Sequence, residues 1–463
     1  MNYFHNAKIV ATMPALDKET VLSKVINNID TFRINLSHGD EEAKKKYINM
    51  IIKLDSSKTI ILDTRGPEVR TRNKEELILK KGQEIPIEHA EFFKDDMDTL
   101  YIDYAQTQNI PDGTMIDIDS GTILIQVKNK KGKLVKVKKE GLVLINRHID
   151  FEYIPELPYL GEKDKRHIIW GIEHKVNAIS VSYIKNESNI AQIKDFLRTV
   201  EGEHMRIIAK IETLDALKNL KSIINAADGI IINMKKLLIL TDDKKAEKYM
   251  EEAIKRCHTI GKPIIRNTQL DVSDKKAAKK QAEVIRKRIE SGIDAFMLTK
   301  DTAIAEDPIE NIYKLYEIIN EELTTSTNYS LKNVAINEDD SISDYIAYNA
   351  YRASKEMPIK AIICPTQSGY TPARLSALKP DVPIIAFTKN DNAYRYLNLM
   401  RVKGYKIADT FEYTNIKQIG KEIIRILFKG NISLDDKILI VHSSLEQNKA
   451  MINGMELYKF KDI

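Results

Sequence analysis

Hydrophobic and polar positions recur with two periods along most of this chain. Short β-branched runs alternate with segments whose apolar residues return every three or four positions, as at Val21, Val25 and Ile26, or at Tyr47, Met50, Ile51 and Leu54. That rhythm belongs to βα units laid on a parallel sheet. From residue 8 to about 323 it predicts eight strands: Lys8–Met13, Phe32–Ser37, Thr59–Thr64, Ala178–Ile184, Arg206–Glu212, Gly229–Met234, Pro263–Asn267 and Ala295–Thr299. Eight is the number that closes a β/α barrel. An open, doubly wound sheet is the alternative that the pattern alone leaves standing.

The rhythm breaks once, after the third strand. Residues 71–152 hold short alternating pieces such as Leu77-Ile78-Leu79, Met115-Ile116-Asp117-Ile118 and Ile123-Leu124-Ile125, with turns at Asp112-Gly113 and Ser120-Gly121. They predict a small all-β domain inserted into the barrel. Barrel pattern resumes at Gly161-Glu162-Lys163-Asp164, whose acidic residues suit the start of a helix. After Asn328 new strands are expected at Lys360–Cys364, Pro383–Phe387, Lys437–His442 and Met455–Phe460. The expected organisation is an α/β chain: a (β/α)8 barrel from 1–70 and 153–327, the β insert at 71–152, and a C-terminal α/β domain from 328–463.

Composition narrows the class. A chain of 463 residues exceeds a single core, and its apolar runs fall short of a membrane span. The N-terminus, Met1-Asn2-Tyr3-Phe4-His5, lacks the regions of a signal or transit peptide, so a cytoplasmic location is expected. Two cysteines, Cys257 and Cys364, support neither a disulfide framework nor a Cys-built metal site. Seventy-two basic residues face 67 acidic ones, largely interleaved on helical faces. This is a solvated surface without the footprint of a nucleic-acid binder, and it suits an anionic small-molecule substrate.

In a β/α barrel, functional groups come from the C-terminal strand ends. The polar residues expected there are Arg33, Asn35 and Ser37, Asp63 and Thr64, Lys210 and Glu212, Thr268, and Thr299 with Asp301. Strand alternation aligns Arg33 with Asn35 and Ser37, and Lys210 with Glu212. Hard oxygen donors beside fixed positive charges suit magnesium, potassium and phosphate together. Phosphoryl transfer needs this combination, because its catalysis is mostly positioning and charge neutralisation.

Phe32-Arg33-Ile34-Asn35-Leu36-Ser37-His38-Gly39, Leu62-Asp63-Thr64-Arg65-Gly66-Pro67-Glu68-Val69-Arg70 and Ile208-Ala209-Lys210-Ile211-Glu212 together resemble the pyruvate kinase family. The resemblance continues through Asp228-Gly229, Gly261-Lys262-Pro263, Thr268-Gln269, Met297-Leu298 and Pro365-Thr366-Gln367-Ser368-Gly369-Tyr370-Thr371-Pro372. It implies conversion of phosphoenolpyruvate and ADP into pyruvate and ATP. By that resemblance Arg33 would contact the transferring phosphoryl group, Lys210 would stabilise its charge, and Thr268 would lie where the enolate is protonated. Asn35, Ser37, Asp63 and the Thr64 carbonyl would hold potassium, with Glu68 the mark of potassium-dependent members. Glu212 would hold magnesium, and Arg70, His38 and Asn35 would face the nucleotide under the β domain as a lid. Thr366, Ser368, Gly369 and Thr371 would bind a phosphate of a sugar-phosphate effector, in a tetramer.

The chain departs from the family at defined places. The second magnesium carboxylate belongs to an Ala-Arg-Gly-Asp-Leu-Gly segment; here the segment is Asn233-Met234-Lys235-Lys236-Leu237-Leu238, and Lys236 stands at the aspartate. The change is about two charge units beside Glu212, which Lys236 is expected to pair with directly, weakening magnesium binding. Arg65 replaces a family lysine, Lys279-Lys280-Gln281 replaces Arg-Ala-Glu, Thr299-Lys300-Asp301 replaces Ser-Gly-Glu, and Thr12-Met13-Pro14 lacks a glycine. The second effector loop, Ser443–Lys449, lacks the family's glycines. Basic residues at Lys279-Lys280 and Arg286-Lys287-Arg288 are expected to call for counter-charges in an assembly, which admits a hetero-oligomer with an active paralogue. The alternative to an active enzyme is therefore an impaired subunit of the same fold. A different barrel phosphotransferase or lyase would need a His at a strand end outside the family motif, and none is present.

Overall fold

A computed structural model describes residues 7–12, 19–36, 41–119, 121–128, 134–151, 159–270, 272–298, 308–321, 341–408, 416–443 and 452–463. Eight parallel strands close into a barrel in which the first strand pairs with both the second and the eighth. They are Lys8–Thr12, Thr31–Asn35, Thr59–Asp63, Ala178–Val181, Arg206–Ile211, Gly229–Ile232, Ile264–Thr268 and Ala295–Leu298. The open-sheet alternative is thereby excluded.

Most of these strands end one to three residues earlier than their apolar runs suggest, and the fourth shows why. The amide of Ser182 turns to the Thr64 hydroxyl, and that of Tyr183 to the Glu212 carboxylate. Tyr183 itself has a left-handed backbone, φ 54°. Ladder bonding stops where side chains take over the backbone donors. The seventh strand starts after Pro263, which lacks an amide proton but accepts from Ile230 through its carbonyl at 3.0 Å.

Inside the barrel, Val10, Ile61, Ala178, Ile208, Ile231, Ile265, Ala295 and Met297 form part of one buried cluster that runs on into the C-terminal layer. The same strand faces carry the polar residues two positions further on, as from Ile61 to Asp63 and from Ile208 to Lys210, so an apolar plug underlies a polar mouth.

The C-terminal layer is a five-stranded sheet in the order Lys403–Lys406, Ile384–Thr388, Ile359–Pro365, Lys437–Ser443, Ile452–Lys459, parallel except for the last pair. The Lys403-Gly404-Tyr405-Lys406 strand was not expected: it is a polar edge strand without an apolar signature. This layer belongs to the same compact unit as the barrel.

It meets the N-terminal ends of the barrel strands through a polar seam. Thr59 donates to the Arg395 carbonyl at 2.6 Å, Arg395 to the Lys58 carbonyl at 2.8 Å, and Tyr396 to the Asp228 carbonyl at 2.7 Å. Arg374 and Arg401 reach carbonyls at the ends of two barrel helices, Thr259 at 2.6 Å and Ile289 and Ile293 at 2.7 and 2.9 Å. Helix C-termini carry partial negative charge, so guanidinium groups settle there. Lys379 and Asp294 form a wholly buried ion pair in the same seam. His258 is structural: its ring contacts the Gly292 carbonyl at 3.0 Å, and burial pushes its pKa well below the usual value.

Two of the five basic residues singled out on the helix Lys275–Ser291 find counter-charges in their own chain. Arg286 pairs with Glu321 at 2.7 Å, and Arg288 with Glu247. These two arginines are thus neutralised within their own chain.

The second compact unit spans Arg65–Glu162. Its seven-stranded sheet begins at Val69–Arg70 and ends at Leu100–Ile102, and a bridge between Thr71 and Ile102 joins its two edges. A core of aliphatic residues including Ile85, Ile116, Ile125 and Val135 fills it.

Candidate active site

The charged mouth of the barrel is built by the first five strands and the loops that leave them. Register pairing sets Arg33 beside Ile61 and Asn35 beside Asp63, and sets Ser180 beside Asp63 across the third and fourth strands. Alternation then points Thr12, Arg33, Asp63, Ser182, Lys210 and Glu212 inward together. Arg33 donates to the Thr12 hydroxyl at 2.9 Å and to Asp63 Oδ2. Lys210 Nζ lies 2.9 Å from Ser182 Oγ, 3.3 Å from Asp63 Oδ1 and 3.7 Å from Glu212 Oε2. Arg33, Asp63, Lys210 and Glu212 are 8%, 3%, 8% and 6% exposed, so the interactions act in a poorly screened setting.

Two cations and two carboxylates are thus balanced in a small volume. Burial alone pushes the Asp63 carboxyl up, but Arg33 and Lys210 outweigh it and hold the group below the usual carboxylate range. Asp63 Oδ1 accepts no hydrogen bond. Glu212 accepts from the Tyr183 amide through Oε1 at 3.0 Å and from Asn233 Nδ2 through Oε2 at 3.4 Å.

Among the described residues no ion pair joins Lys236 to Glu212, contrary to the expected direct pairing, and the cation paired with Glu212 is Lys210. The segment expected to suffer from its missing glycines forms a short helix, Met234–Leu240, and Asn233 caps it by accepting from the Lys236 amide at 3.4 Å. Lys236 therefore sits in the first helical turn, half-buried, with its backbone engaged by the residue whose amide group contacts Glu212. Asp242 is committed elsewhere, capping the helix Asp243–Ile260 through the Lys245 amide at 2.9 Å.

Other expected residues have other surroundings. Thr64 bonds through its hydroxyl to the Ser180 carbonyl at 3.3 Å, while its own carbonyl accepts from Ser182 Oγ at 2.8 Å. Asn35 is half-buried at its strand end. Thr268 is buried, with Oγ1 3.4 Å from Arg266 Nη1, and makes no hydrogen bond to the Arg33–Lys210 cluster. Burial, together with the nearby charge of Arg288, holds the pKa of Arg266 down to about 10. Ser37, His38, Thr299, Lys300 and Asp301 lie outside the described residues.

Arg70 belongs to the Arg65–Glu162 unit. There it bonds to Glu68 and to the Asn146 carbonyl at 2.9 Å, within a network that also holds Arg65, Arg72, Asp103 and His148. Burial raises the Glu68 carboxyl, but His148, Arg70 and Arg65 together bring it down to about 2.

In the C-terminal layer, Thr366 Oγ1 accepts from the Gly369 amide at 2.9 Å and Ser368 Oγ from the Tyr370 amide at 3.3 Å. Gly369, at φ 85°, opens the helix Tyr370–Ala377, and Thr371 is buried within its first turn. The hydroxyl of Thr366 thus closes its own turn as an acceptor, which leaves its proton to donate. Of the companion loop Ser443–Lys449, residues 444–449 lie outside the described residues.

Sequence reasoning missed Ser182, the Tyr183 amide and Asn233. The polar-apolar-polar run Ser180-Val181-Ser182 at the end of the fourth strand was the available signal, since it repeats the alternation of Arg33-Ile34-Asn35. Among the described residues no group of three or more His, Cys, Asp or Glu side chains could hold a metal by itself, and no helix is long and apolar enough to cross a membrane.

Fold and mouth define a β/α-barrel protein of three parts, with an insert after the third strand and buried paired charges at the C-terminal strand ends. Residues 4–312 match the family model for the pyruvate kinase barrel domain, and residues 344–457 the model for the pyruvate kinase alpha/beta domain. A pyruvate kinase of Clostridium perfringens is 29% identical over 410 residues, covering 85% of this chain and 86% of that protein. One of Clostridium acetobutylicum is 28% identical over 450 residues, covering 94% and 95%, and one of Staphylococcus saprophyticus 29% identical over 474, covering 98% and 80%. This chain belongs to the pyruvate kinase family.

Proposed function

We propose that this chain transfers the phosphoryl group of phosphoenolpyruvate to ADP, giving pyruvate and ATP, as a glycolytic enzyme of the cytoplasm. The observation that carries the reading is the buried cluster of Arg33, Asp63, Lys210 and Glu212. The enol P–O bond breaks, an oxygen of the ADP β-phosphate takes the phosphorus, and the enolate carbon takes a proton. Arg33 and Lys210 exchange part of their hold on Asp63 and Glu212 for the phosphoryl oxygens. Their charge is already fixed in place, so little reorganisation remains when it is needed. Thr268 is the proposed residue on the protonation face, and Arg70, His38 and Asn35 are proposed for the nucleotide.

Asn35, Ser37, Asp63 and the Thr64 carbonyl are proposed for potassium. Asp63 stays ionised beside Arg33 and Lys210, which supports it as an oxygen donor to a cation. Glu212 is the proposed magnesium ligand: such ions are commonly held by one or two carboxylates plus substrate phosphate, so the donor set is sufficient but minimal. Magnesium would supply charge neutralisation on the phosphates. With Lys236 at the other carboxylate position, weakened magnesium dependence is part of the proposal, as are a phosphate-binding role for Thr366, Ser368, Gly369 and Thr371 and a homotetrameric assembly.

Pyruvate formation by the purified chain over a magnesium titration, with Lys236→Asp alongside, tests the reading. Turnover in the parent, with a lower half-saturating magnesium concentration in the variant, is expected. The substitution of Lys236 also favours a second reading, a non-catalytic subunit that joins an active paralogue in a hetero-oligomer. No turnover by the parent at any magnesium concentration, together with mixed oligomers in native mass spectrometry of coexpressed chains, would replace the first reading by the second.

A further inference from the structure

Lys210 is surrounded by two carboxylates, yet its shortest contact is to a neutral hydroxyl. Ser182 Oγ lies 2.9 Å from Nζ, against 3.3 Å for Asp63 Oδ1 and 3.7 Å for Glu212 Oε2. The direction of that hydroxyl is fixed. Its proton goes to the Thr64 carbonyl at 2.8 Å, so a lone pair faces the ammonium. The third and fourth strands are laced at this point, because the Thr64 amide and hydroxyl both reach the Ser180 carbonyl, at 2.9 and 3.3 Å. Ser182 is only 3% exposed.

The next residue completes the arrangement. Tyr183 takes the left-handed conformation, φ 54°, which non-glycine residues rarely adopt, and its amide donates to Glu212 Oε1 at 3.0 Å. One dipeptide therefore holds the ammonium through a side chain and the carboxylate through a backbone donor.

We propose that Ser182 is a positioning residue for Lys210, holding its ammonium off Glu212 so that both charges stay available to substrate. The proposal rests on the phosphoryl-transfer reading for its kinetic consequence, but not for its geometry. Without the hydroxyl, the ammonium has two carboxylates to settle on and closes on Glu212 as a direct ion pair.

Ser182→Ala is compared with Ser182→Thr, which keeps the hydroxyl, and Ser182→Cys, which keeps the size with a weak donor. Hydrogen bonds to charged groups contribute enough that kcat is expected to fall roughly 10- to 100-fold in the Ala and Cys variants. KM for phosphoenolpyruvate should stay within about threefold, since the lost interaction serves the transition state. The Thr variant should recover most of the rate. A role confined to stability would lower the melting temperature of the Ala variant and leave kcat unmoved, which overturns the proposal, as does failure of the Thr variant to rescue. A crystal structure of the Ala or Cys variant supplies a readout free of turnover: Lys210 Nζ should move about 1 Å toward Glu212, into direct contact. An unmoved Nζ overturns the positioning role even if the parent proves inactive, whereas an inactive parent with a displaced Nζ removes only the phosphoryl-transfer reading.

Discussion

The seam beneath the barrel gives a prediction whose size follows from its geometry. Lys379 and Asp294 are 6% and 3% exposed, and the second carboxylate oxygen, Oδ2, accepts from the Ile264 amide at 3.0 Å, where the seventh barrel strand begins. Lys379→Met removes the ammonium and leaves the carboxylate buried with one backbone donor. Breaking a buried pair in this way costs about 3–5 kcal/mol, most of it the cost of the uncompensated charge. Lys379 has φ 52°, and methionine carries the same β-carbon strain there, so backbone effects cancel. For a unit of this size that cost lowers the melting temperature by roughly 4–7 °C. The single tryptophan, Trp170, lies in a helix of the barrel, Glu162–Glu173, and its fluorescence follows the transition. Asp294→Asn keeps an acceptor for the Ile264 amide without the charge, so adding it to Lys379→Met should recover at least about 2 kcal/mol. A Lys379→Met melt within about 1 °C of the parent, or a double variant no better than the single one, would refute the claim that electrostatics holds this seam.

Two further outcomes are expected. Glu68 is held at about 2, against 4.5 for an ordinary glutamate, so it adds stability to its unit at neutral pH that is lost as pH falls from about 4.5 to 2. Hydrogen exchange at the amides of Val69 and Arg70 should accelerate across that window by up to about 3 kcal/mol of local stability, and Glu68→Gln should be less stable at pH 7 and nearly flat below it. Thr366→Val removes the acceptor that closes the turn ahead of the helix Tyr370–Ala377, and should lower stability by about 1 kcal/mol in denaturant titrations. An unchanged midpoint would show that the turn is held by Gly369 and Ser368 without it.

The barrel was legible because most of its strands hold a continuous apolar run, such as Ile207-Ile208-Ala209 or Ile230-Ile231-Ile232, and such runs keep their character whatever surrounds them. Strand ends were less legible. Whether Tyr183 continues a ladder depends on Glu212, 29 residues away, taking its amide. The charged part of the site could be read because Arg33, Asp63, Lys210 and Glu212 are expensive to bury and so announce a purpose. Ser182 and Asn233 are cheap to bury and common at strand ends and helix caps, and they gave no such signal. Lys236 shows a different limit: counting along the chain could not tell that its backbone would enter a short helix capped by Asn233, the residue whose amide group contacts Glu212. Pairing is a property of three dimensions, and so is the seam, where Lys379 and Asp294 are separated by 85 residues.

The fifth barrel strand, Arg206–Ile211, touches both ends of the barrel unit. At one end the Arg206 guanidinium lies 4.6 Å from the Tyr396 ring centre and donates to the Ser368 carbonyl at 3.3 Å; four residues on, Lys210 enters the charged mouth. A strand bonded on both sides within a closed barrel has no freedom to slide or stretch, and its rise of about 3.3 Å per residue is covalent geometry. The span from the Ser368 turn to the ammonium is accordingly a ruler rather than a spring. Any ligand that pulls on that turn works against a member of fixed length whose other end is the lysine.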